Sequence, residues 1–577
     1  MYSFFHYVRL YKKYFLLGSF FKMIEASVEL LIPFLMASVL ERADRVYSLK
    51  IGAVMLAIVL AGSALATLGQ YFSARAATAV SRKLRRDMYE KINSLDFRGI
   101  DAFGTASLIN RLTADVNAIQ NAVLIFVRIA IRAPFLVAGS VIFAMLIDSN
   151  IALIIVACMP FLIASFYFIT KRLVPKYTAV QKTLDGITLE TKENLEGVRV
   201  VRAFNKQARE IREFKRAADA YSDMSISAGK MSAGLGPLNT FIINCGVAAI
   251  VYFVGAAVSA DMFDVANISA FVSYMVQIVT ALNMITHLTL SFVKAFASNK
   301  RVKELFAAPS EITAPDIPKT KETGGNSELK TDGIGDAGSI LEFRDVYFGY
   351  GDKGFALKGV SFALRGGETL GIIGGTGSGK TTLISLIPRF YDVKSGAVFY
   401  KGRDVGELPA EVLRREVAVV AQEAVVFSGT IKENIRFALP YMPDGDVVRA
   451  AKIAQAHEFI TRMPKGYDSE IEQNGRNLSG GQKQRISIAR GIAKNAEILV
   501  LDDSSSALDY LTEARLRAAL KELGGVTKII VSQRVSSVMY ADKILVLDKG
   551  AVAGEGKHAE LLRSCAVYAN IYESQNL

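Results

Sequence analysis

The first half of the chain consists of long apolar stretches separated by polar segments. Six of these stretches reach the length of about 20 residues that a helix needs to cross a bilayer. They span residues 15–40, 51–72, 122–147, 151–169, 238–260 and 268–296. The pattern predicts six membrane-spanning helices, preceded by an interfacial helix over the basic and aromatic residues 1–14. A cleaved signal peptide is the alternative for the first stretch, but charged residues interrupt it and no small-residue cleavage site follows.

Lysine and arginine are concentrated in two of the segments between the apolar stretches. Eight lie in residues 75–111 and thirteen in residues 171–230, whereas the opposite loops contain only Arg42, Arg45 and Lys50. Cytoplasmic segments of membrane proteins carry the excess of positive charge. We therefore expect a multi-pass protein of the plasma membrane, with both termini and both basic segments in the cytoplasm.

The two basic segments have a helical pattern of their own. Residues 76–95 and 189–225 carry apolar side chains at helical spacing among charges, without proline. This predicts that the membrane helices continue well into the cytoplasm. Each helical hairpin then needs a turn at its tip, which we place at residues 98–105 and near residues 194–202. A disordered basic loop is the alternative.

The pattern changes near residue 306. Residues 307–339 are rich in Pro, Gly, Thr, Ser and charge, which is typical of a linker. Beyond them, short apolar runs alternate with helical patterns, as in an α/β domain. We expect an all-α transmembrane domain over residues 1–306, a linker over 307–339, and an α/β domain over 340–577.

Composition agrees with this division. A mean hydropathy of +0.29 with 51% hydrophobic residues is high for a soluble protein. The net charge of +13 does not indicate nucleic acid, because no basic block with interleaved aromatic residues occurs and the basic cytoplasmic segments account for much of the charge. Cys158, Cys245 and Cys565 form no CxxC pair, so neither a disulfide framework nor a metal site is indicated.

A glycine-rich loop, GGTGSGKT over residues 374–381, matches G-x-x-x-x-G-K-[ST]. It follows the apolar run 369–373 and precedes a helical pattern over 382–387, the strand–loop–helix context that this phosphate-binding motif requires. Backbone N–H groups and the helix N-terminus hold phosphates, Lys380 reaches the outer phosphates, and the Thr381 hydroxyl ligates Mg²⁺. The predicted nucleotide-binding residues are Gly374, Gly375, Thr376, Gly377, Ser378, Gly379, Lys380, Thr381 and Thr382.

Several polar or aromatic residues follow apolar runs in this half of the chain. Tyr350 ends the predicted strand 341–350 and offers a ring that can stack on adenine, although a tyrosine taken alone is more often a core or surface residue. Gln422 has a side-chain carbonyl for Mg²⁺ or water. Asp502 ends the buried run 498–501, where a carboxylate can hold hydrated Mg²⁺.

A second anion-binding turn precedes the predicted helix 482–493. Its sequence is Leu478-Ser-Gly-Gly-Gln482, and it offers a hydroxyl and backbone donors at a helix N-terminus. Its four candidate binding residues are Ser479, Gly480, Gly481 and Gln482. One chain therefore carries two phosphate-binding loops.

The ordered set of motifs resembles the ATP-binding cassette, and six spans ahead of it resemble a half-transporter of the ABC exporter type. The resemblance covers nearly the whole chain. It implies an α/β P-loop domain with a helical signature subdomain, ATP and Mg²⁺ as ligands, and two cassettes meeting head to tail. Each ATP then lies between the phosphate loop of one chain and the LSGGQ of the other, so Ser479, Gly480, Gly481 and Gln482 act in trans. The hairpin tips resemble the coupling helices of that family.

Two positions depart from the family pattern. Asp503 stands where the family has the Glu that aligns the attacking water, and Gln533 stands where it has the His that touches the γ-phosphate. Asp is one methylene shorter, and Gln carries neither a proton nor a charge through the reaction. With Gln422, these two residues are the predicted catalytic positions. The pair resembles the degenerate-site subunit of heterodimeric bacterial multidrug exporters, so we expect a second, different half-transporter as partner.

The remaining clues are ionisable residues within the spans. Lys22, Glu25 and Glu29 share one helical face, and Arg128 and Arg132 are four residues apart in the third span. They indicate either a structural ion-pair network, which we favour, or a cavity for cationic amphiphiles. In addition, His287 could titrate in such a cavity, and Pro134, Pro160 and Pro237 predict kinks.

The function expected from the sequence is an ATP-driven exporter subunit for an amphiphilic small molecule, with drug or lipid preferred over peptide. A homodimeric exporter with slow ATPase activity is one alternative. An ATP-gated regulatory or channel-like subunit is another, and it differs in not accumulating solute against a gradient. The six spans exclude a soluble P-loop enzyme, and their fusion to a cassette disfavours an importer.

Overall fold

A computed structural model of the chain describes residues 4–42, 44–258, 268–309, 338–351 and 354–575. It divides into two compact units. The first comprises Met1–Ser94 and Ala102–Ala308, and the second comprises Leu95–Asp101 and Pro309–Leu577. Most of the predicted linker, residues 310–337, lies outside the described residues.

The first unit is helical. Its helices, with the seven-residue helix α4 that spans the boundary between the units, are α1 Phe4–Leu10, α2 Lys12–Arg42, α3 Arg45–Ser94, α4 Phe97–Phe103, α5 Thr105–Asn110, α6 Val116–Ile129, α7 Arg132–Ile147, α8 Ser149–Glu196, α9 Val198–Ala203, α10 Gln207–Ala233, α11 Leu235–Val258 and α12 Ile268–Ala307. A π-helical turn, Arg111–Asp115, joins α5 to α6. By length and composition, six helical segments of the described chain are able to cross a membrane, as the sequence predicts.

The long helices extend far beyond their apolar stretches. Helices α3 and α8 contain 50 and 48 residues, which at 1.5 Å per residue is about 70 Å each, more than twice the apolar thickness of a bilayer. The prediction that the helices continue well beyond the apolar stretches is therefore confirmed. Short helices, α4 and α9, occupy the two predicted hairpin tips.

Proline affects these helices unequally. Pro160 lies within the continuous helix α8, as does Pro175. Pro134 lies in the first turn of α7, directly after the break at residues 130–131 that separates α6 from α7. Because proline has no N–H to donate, it leaves the carbonyl four residues earlier without its helical partner. The sequence therefore locates the interruption of the third span correctly.

The second unit contains two main sheets. Its strands are β1 Ser339–Phe348, β2 Leu357–Arg365, β3 Thr369–Ile373, β4 Ser395–Tyr400, β5 Arg403–Asp404, β6 Val417–Val420, β7 Gly429–Thr430, β8 Glu470–Ile471, β9 Ile498–Asp502, β10 Thr527–Ser532, β11 Lys543–Asp548 and β12 Ala551–Gly556. A six-stranded sheet has the order β12-β11-β3-β10-β9-β6, with all neighbours parallel except β12 with β11. An antiparallel sheet has the order β2-β1-β4-β5.

Helices cover the parallel sheet and form a separate cluster beside it. They are α13 Lys380–Leu386, α14 Ala410–Glu416, α15 Ile431–Ile435, α16 Asp444–Ile453, α17 His457–Thr461, α18 Gly480–Ala493, α19 Tyr510–Lys521, α20 Val535–Val538, α21 His558–Ser564 and α22 Ala566–Gln575. All five residues of β9 are buried, which explains why this strand is a continuous apolar run rather than an alternating one. The expected α/β fold is confirmed, and the chain segments after β3, β6, β9 and β10 emerge at one edge of the sheet.

Candidate nucleotide-binding site

The loop 374–381, here called the phosphate loop, connects β3 to α13. Gly377 and Gly379 have φ values of 78° and 101°, in the left-handed region that favours glycine. Gly374 has no room for a side chain, because a Cβ there would lie 2.2 Å from the carbonyl oxygen of Leu547. The backbone geometry therefore requires these three glycines, whereas a Cβ at Gly375 would meet open space.

Polar groups inside the phosphate loop point to an anionic ligand. The Lys380 Nζ donates to the carbonyl oxygens of Gly374 and Gly375, at 2.8 Å each. Burial lowers the pKa of this amine, while Asp502 and Asp503 oppose the shift. The buried Ser378 hydroxyl has no partner in the described part of the chain. A phosphate would satisfy this hydroxyl and bring a full negative charge to the amine.

Thr381 and Asp502 meet beside the loop. The Thr381 hydroxyl donates to the Asp502 carboxylate at 3.1 Å. Asp502 ends the buried strand β9 and is itself 4% exposed, and this burial raises its pKa, opposed by the bond from Thr381. A hydroxyl and a carboxylate are hard oxygen donors that suit Mg²⁺, which usually takes few protein ligands and fills its shell with phosphate and water oxygens. The donor set fits that ion.

Asp503 stands at the exit of β9. Its φ of 43° is unusual for a residue with a side chain, and its N–H donates to the Val531 carbonyl oxygen at 2.9 Å. Its carboxylate accepts a bond from the Gln422 amide at 3.3 Å. Burial raises the pKa of Asp503, while the charge of Arg534 opposes that shift. The structure thus places Asp503 and Gln422 together, beside Asp502.

The backbone at Gln533 is bonded to a residue that no sequence motif singles out. The side-chain amide of Gln575, in the last turn of α22, donates to the Gln533 carbonyl oxygen at 2.7 Å and accepts from the Val535 N–H at 2.8 Å. Forty-two residues separate Gln575 from Gln533, so only the fold reveals this contact. We call the pair of bonds the amide clamp. The Gln533 side chain itself is exposed.

Ser479 begins helix α18 with a capping box. Its hydroxyl accepts from the Gln482 N–H at 3.3 Å, and the Gln482 side chain accepts from the Ser479 N–H at 2.8 Å. At Gly481, a Cβ would lie 3.1 Å from the Ala507 carbonyl oxygen, whereas one at Gly480 would meet open space. The turn Leu478–Gln482, here called the signature turn, is therefore rigid and has an exposed end.

Tyr350 connects the phosphate loop to an aromatic cluster. Its hydroxyl donates to the Thr382 Oγ1 at 3.2 Å, and the residue is 48% exposed, so one ring face is accessible. The ring stands edge-on to Tyr391, with centroids 5.4 Å apart. The Tyr391 hydroxyl in turn donates to Asp101 at 2.9 Å, in the segment Leu95–Asp101 that groups with the second unit. The predicted first coupling tip is therefore two side chains away from Tyr350.

The ionisable residues of the spans form the ion-pair network that the sequence favours. Lys22 pairs with Glu25 at 2.5 Å, and Arg132 pairs with Glu29 at 2.7 Å and with Glu25 at 3.5 Å. Arg128 does not join this network of described residues. The side chain of His287 lies outside the part of the chain that the structure describes.

Comparisons with known proteins agree with the fold and the motifs. Residues 15–282 match the family model described as ABC transporter transmembrane region, and residues 357–506 match the one described as ABC transporter. The uncharacterized ABC transporter ATP-binding protein YfiB of Bacillus subtilis is 33% identical over 556 residues, 96% of this chain and 94% of that protein. The chain belongs to the ABC transporter family.

Two further similarities concern exporters. The ATP-dependent lipid A-core flippase of Syntrophus aciditrophicus is 30% identical over 497 residues, 85% of this chain and 80% of that protein. A solved structure of a bacterial Atm1-family ABC exporter with ATP bound superimposes with a TM-score of 0.81 over 98% of this chain and 99% of that one, at 23% identity. This ABC transporter thus has the exporter fold, with a transmembrane region fused to an ATPase domain. Exporters of this family work as dimers in the lipid bilayer, and their ATPase domains bind ATP.

Proposed function

We propose that this chain is one half of a heterodimeric ATP-driven exporter, in which it holds ATP at a site that hydrolyses slowly and lends its signature turn to the partner's competent site. The single observation that carries the proposal is the pair Asp503 and Gln533 beside an otherwise complete nucleotide site. The residues that bind ATP are then complete, whereas the residues that position the attacking water are altered.

The binding half has every group that ATP needs. The phosphate loop offers backbone donors, the buried Ser378 hydroxyl and the Lys380 amine, and Tyr350 offers a ring face for adenine. Thr381 and Asp502 are the residues that would hold Mg²⁺, which when bound neutralises phosphate charge. We propose these roles for all nine residues Gly374–Thr382.

In the hydrolytic half, the carboxylate side chain is shorter than the Glu of the family and the His is replaced by an uncharged residue. Asp503 is one methylene shorter than Glu, and its carboxylate already accepts a bond from Gln422. A misplacement of about 1 Å in a catalytic group can slow a reaction on the order of 100-fold. Gln533 can donate a hydrogen bond to a γ-phosphate but adds no positive charge as the transition state forms. ATP at this site would therefore act mainly as a long-lived link between the cassettes.

A role in the partner's site explains the intact LSGGQ of the signature turn. Its capping box and its exposed glycine present a helix N-terminus of the kind that binds anions. In a head-to-tail dimer, Ser479, Gly480, Gly481 and Gln482 would face the ATP on the partner's phosphate loop. We propose a partner half-transporter with Glu and His at the positions of Asp503 and Gln533.

The transport cycle follows from this asymmetry. ATP binding closes the cassettes, and the hairpin tips transmit closure to the spans, which open outward. Hydrolysis at the partner's site then resets the dimer.

We propose a plasma-membrane location, with the cassette and both termini in the cytoplasm, and domain limits of 1–306, 307–339 and 340–577. We also propose an amphiphilic substrate of the drug or lipid type, which the similarity to a lipid flippase supports.

The deciding experiment compares ATP hydrolysis by the purified chain alone with hydrolysis by the chain purified together with its partner. We expect negligible turnover alone and full turnover together, with Asp503→Ala changing the joint rate less than two-fold. Full turnover by the chain alone, abolished by Asp503→Ala, would make it a homodimeric ATPase. Accumulation of an amphiphile in sealed vesicles against its gradient is expected of a pump. ATP-dependent equilibration without accumulation would identify a gated channel instead.

A further inference from the structure

The charges within the membrane helices do not balance. Two carboxylates, Glu25 and Glu29, are occupied by Lys22 and Arg132. Arg128 is a further cation, and the structure records no ion pair or hydrogen bond for it among the described residues, where its buried Nε has no partner. An unpaired guanidinium in a membrane protein is unfavourable unless it meets water, a headgroup or an anion. Arg128 therefore has no counter-ion within the described part of the chain.

The position of Arg128 along the third span indicates where that partner lies. Helix α7 ends at Ile147, so Arg128 is 19 residues before that end, about 28 Å at 1.5 Å per residue. The apolar thickness of a bilayer is about 30 Å. With the proposed orientation, Arg128 lies at the level of the headgroups of the cytoplasmic leaflet.

The face that carries Arg128 is only partly covered by the rest of the unit. Val123 and Val127 on α6 are fully buried, whereas Arg128 is partly exposed and Asn121, on the same side of the helix, is exposed. The helix is also interrupted at residues 130–131. Irregular backbone at membrane depth is tolerated where it is buried in protein or lines a water-filled cavity. The Arg128 side chain, partly exposed and beside this interruption, is thus accessible in part from outside the protein.

We infer that Arg128 binds the anionic headgroup, phosphate or carboxylate, of an amphiphile that enters the exporter from the cytoplasmic leaflet. A guanidinium matches both groups with two parallel hydrogen bonds. This inference rests on the proposed exporter function and names its substrate class. It replaces the cationic amphiphile considered from the sequence, because the two carboxylates that a cation would need are already paired with Lys22 and Arg132.

The first test measures binding without nucleotide. The full-length chain, purified as the dimer it forms in the membrane and placed in nanodiscs of zwitterionic lipid, is titrated calorimetrically with dodecyl phosphate, dodecyltrimethylammonium and inorganic phosphate. We expect dodecyl phosphate to bind most tightly. Arg128→Gln should weaken it about 10- to 100-fold, the range for a lost hydrogen bond to a charged group, while Arg128→Lys should keep most of the affinity.

A matched arginine serves as control. Arg75 lies near the same level, since Ser73 and Val127 both approach Gly18, but its guanidinium is bonded to Tyr71 and stacked on Tyr14. Arg75→Gln removes the same charge and should leave dodecyl phosphate binding unchanged. Equal losses in both variants, or equal affinity for the cationic amphiphile, would overturn the inference. Inorganic phosphate competing as well as dodecyl phosphate would reduce the site to a free-anion site and overturn the amphiphile assignment.

A second arm separates a transported amphiphile from a lipid that only surrounds the protein. In proteoliposomes with ATP, labelled phosphatidic acid should move between leaflets with the original chain and with Arg75→Gln, and not with Arg128→Gln. Binding without movement would overturn the substrate assignment. ATP binding is measured in the same samples. If alkyl phosphate binding depends on Arg128 while the proposed asymmetry of hydrolysis fails, only the heterodimer proposal is lost.

Discussion

The two halves of the nucleotide site differ in how their side chains are held. On the binding side, Lys380 and Thr381 are tied to groups that a nucleotide would replace or share, and Ser378 is buried without a partner among the described residues. On the hydrolytic side, Asp503 is bonded to Gln422, while Gln533 is oriented only through its backbone. On the binding side, polar groups remain that a nucleotide would bond, whereas on the hydrolytic side the Asp503 carboxylate is already bonded within the chain. Binding and hydrolysis are therefore separable in this chain, and substitutions in one half should leave the other half working.

The largest expected effect is a loss of ATP affinity from a substitution on the binding side. Lys380→Ala removes the amine from the phosphate loop, and ATP affinity should fall on the order of 100-fold, as for the loss of one or two bonds to a charged group. Equilibrium binding of a fluorescent ATP analogue measures this. Lys401→Ala is the control, because Lys401 makes a surface ion pair with Glu497 and should leave affinity unchanged. A similar loss in both variants would contradict a specific role for Lys380.

The next effect concerns the signature turn. Ser479→Ala removes both the cap of α18 and a hydroxyl facing the partner's ATP, so hydrolysis by the heterodimer should fall on the order of 10-fold, while ATP binding to this chain's own loop is retained. Thr430→Ala removes an equivalent capping box at α15, at the same cost of about 1 kcal/mol in stability. It should leave hydrolysis intact. A loss of hydrolysis in the Thr430 variant would mean that only helix stability had been tested.

Restoring the family's Glu and His in the hydrolytic half should raise the rate of ATP hydrolysis at this site. Asp503→Glu restores the missing methylene and Gln533→His restores a group that can carry positive charge. With both changes we expect the rate of hydrolysis at this site to rise about 10-fold. The rate is measured with the partner's own site inactivated, so that only this site contributes. Asp503→Glu alone should give less, since the γ-phosphate would still lack a cationic neighbour. Failure of the double variant to exceed the original rate would show that the limitation lies elsewhere.

Most residues of the nucleotide site can be predicted from the sequence, and those that cannot owe their positions to tertiary packing. The phosphate loop, Asp502 and the capped Ser479 are set by local chemistry at the ends of strands and helices, so the pattern around each predicts its place. Helix α3 is foreseen because apolar residues keep helical spacing among the charges beyond its apolar stretch. The amide clamp by Gln575 and the isolation of Arg128 arise from tertiary packing. Nothing in the neighbouring residues indicates either.

A smaller effect tests the adenine end of the binding half. Tyr350→Ala should weaken ATP binding about 10-fold, because base–aromatic stacking contributes roughly 1–3 kcal/mol. Tyr350→Phe loses only the bond to Thr382 and should bind within about two-fold of the original chain. Titration with ATP and with triphosphate separates the contributions, since triphosphate affinity should be unaffected in both variants. An equal loss of triphosphate affinity would assign the tyrosine to the shape of the loop instead.

The smallest effect, and the one most specific to this structure, concerns the amide clamp. Gln575→Ala removes two bonds to the backbone at Gln533 and Val535, each with a net contribution of about 1 kcal/mol. In the original chain the hydrolysis rate should change less than two-fold, because Gln533 contributes little. In the repaired Asp503→Glu, Gln533→His chain the same change should remove most of the gained rate, since the restored His must be held against the γ-phosphate. Ser574→Ala should do neither, because among the described residues the Ser574 hydroxyl bonds only to Ile571 of its own helix. Equal effects of Gln575→Ala in the two backgrounds would show that the clamp stabilises the fold without orienting the side chain that meets the phosphate.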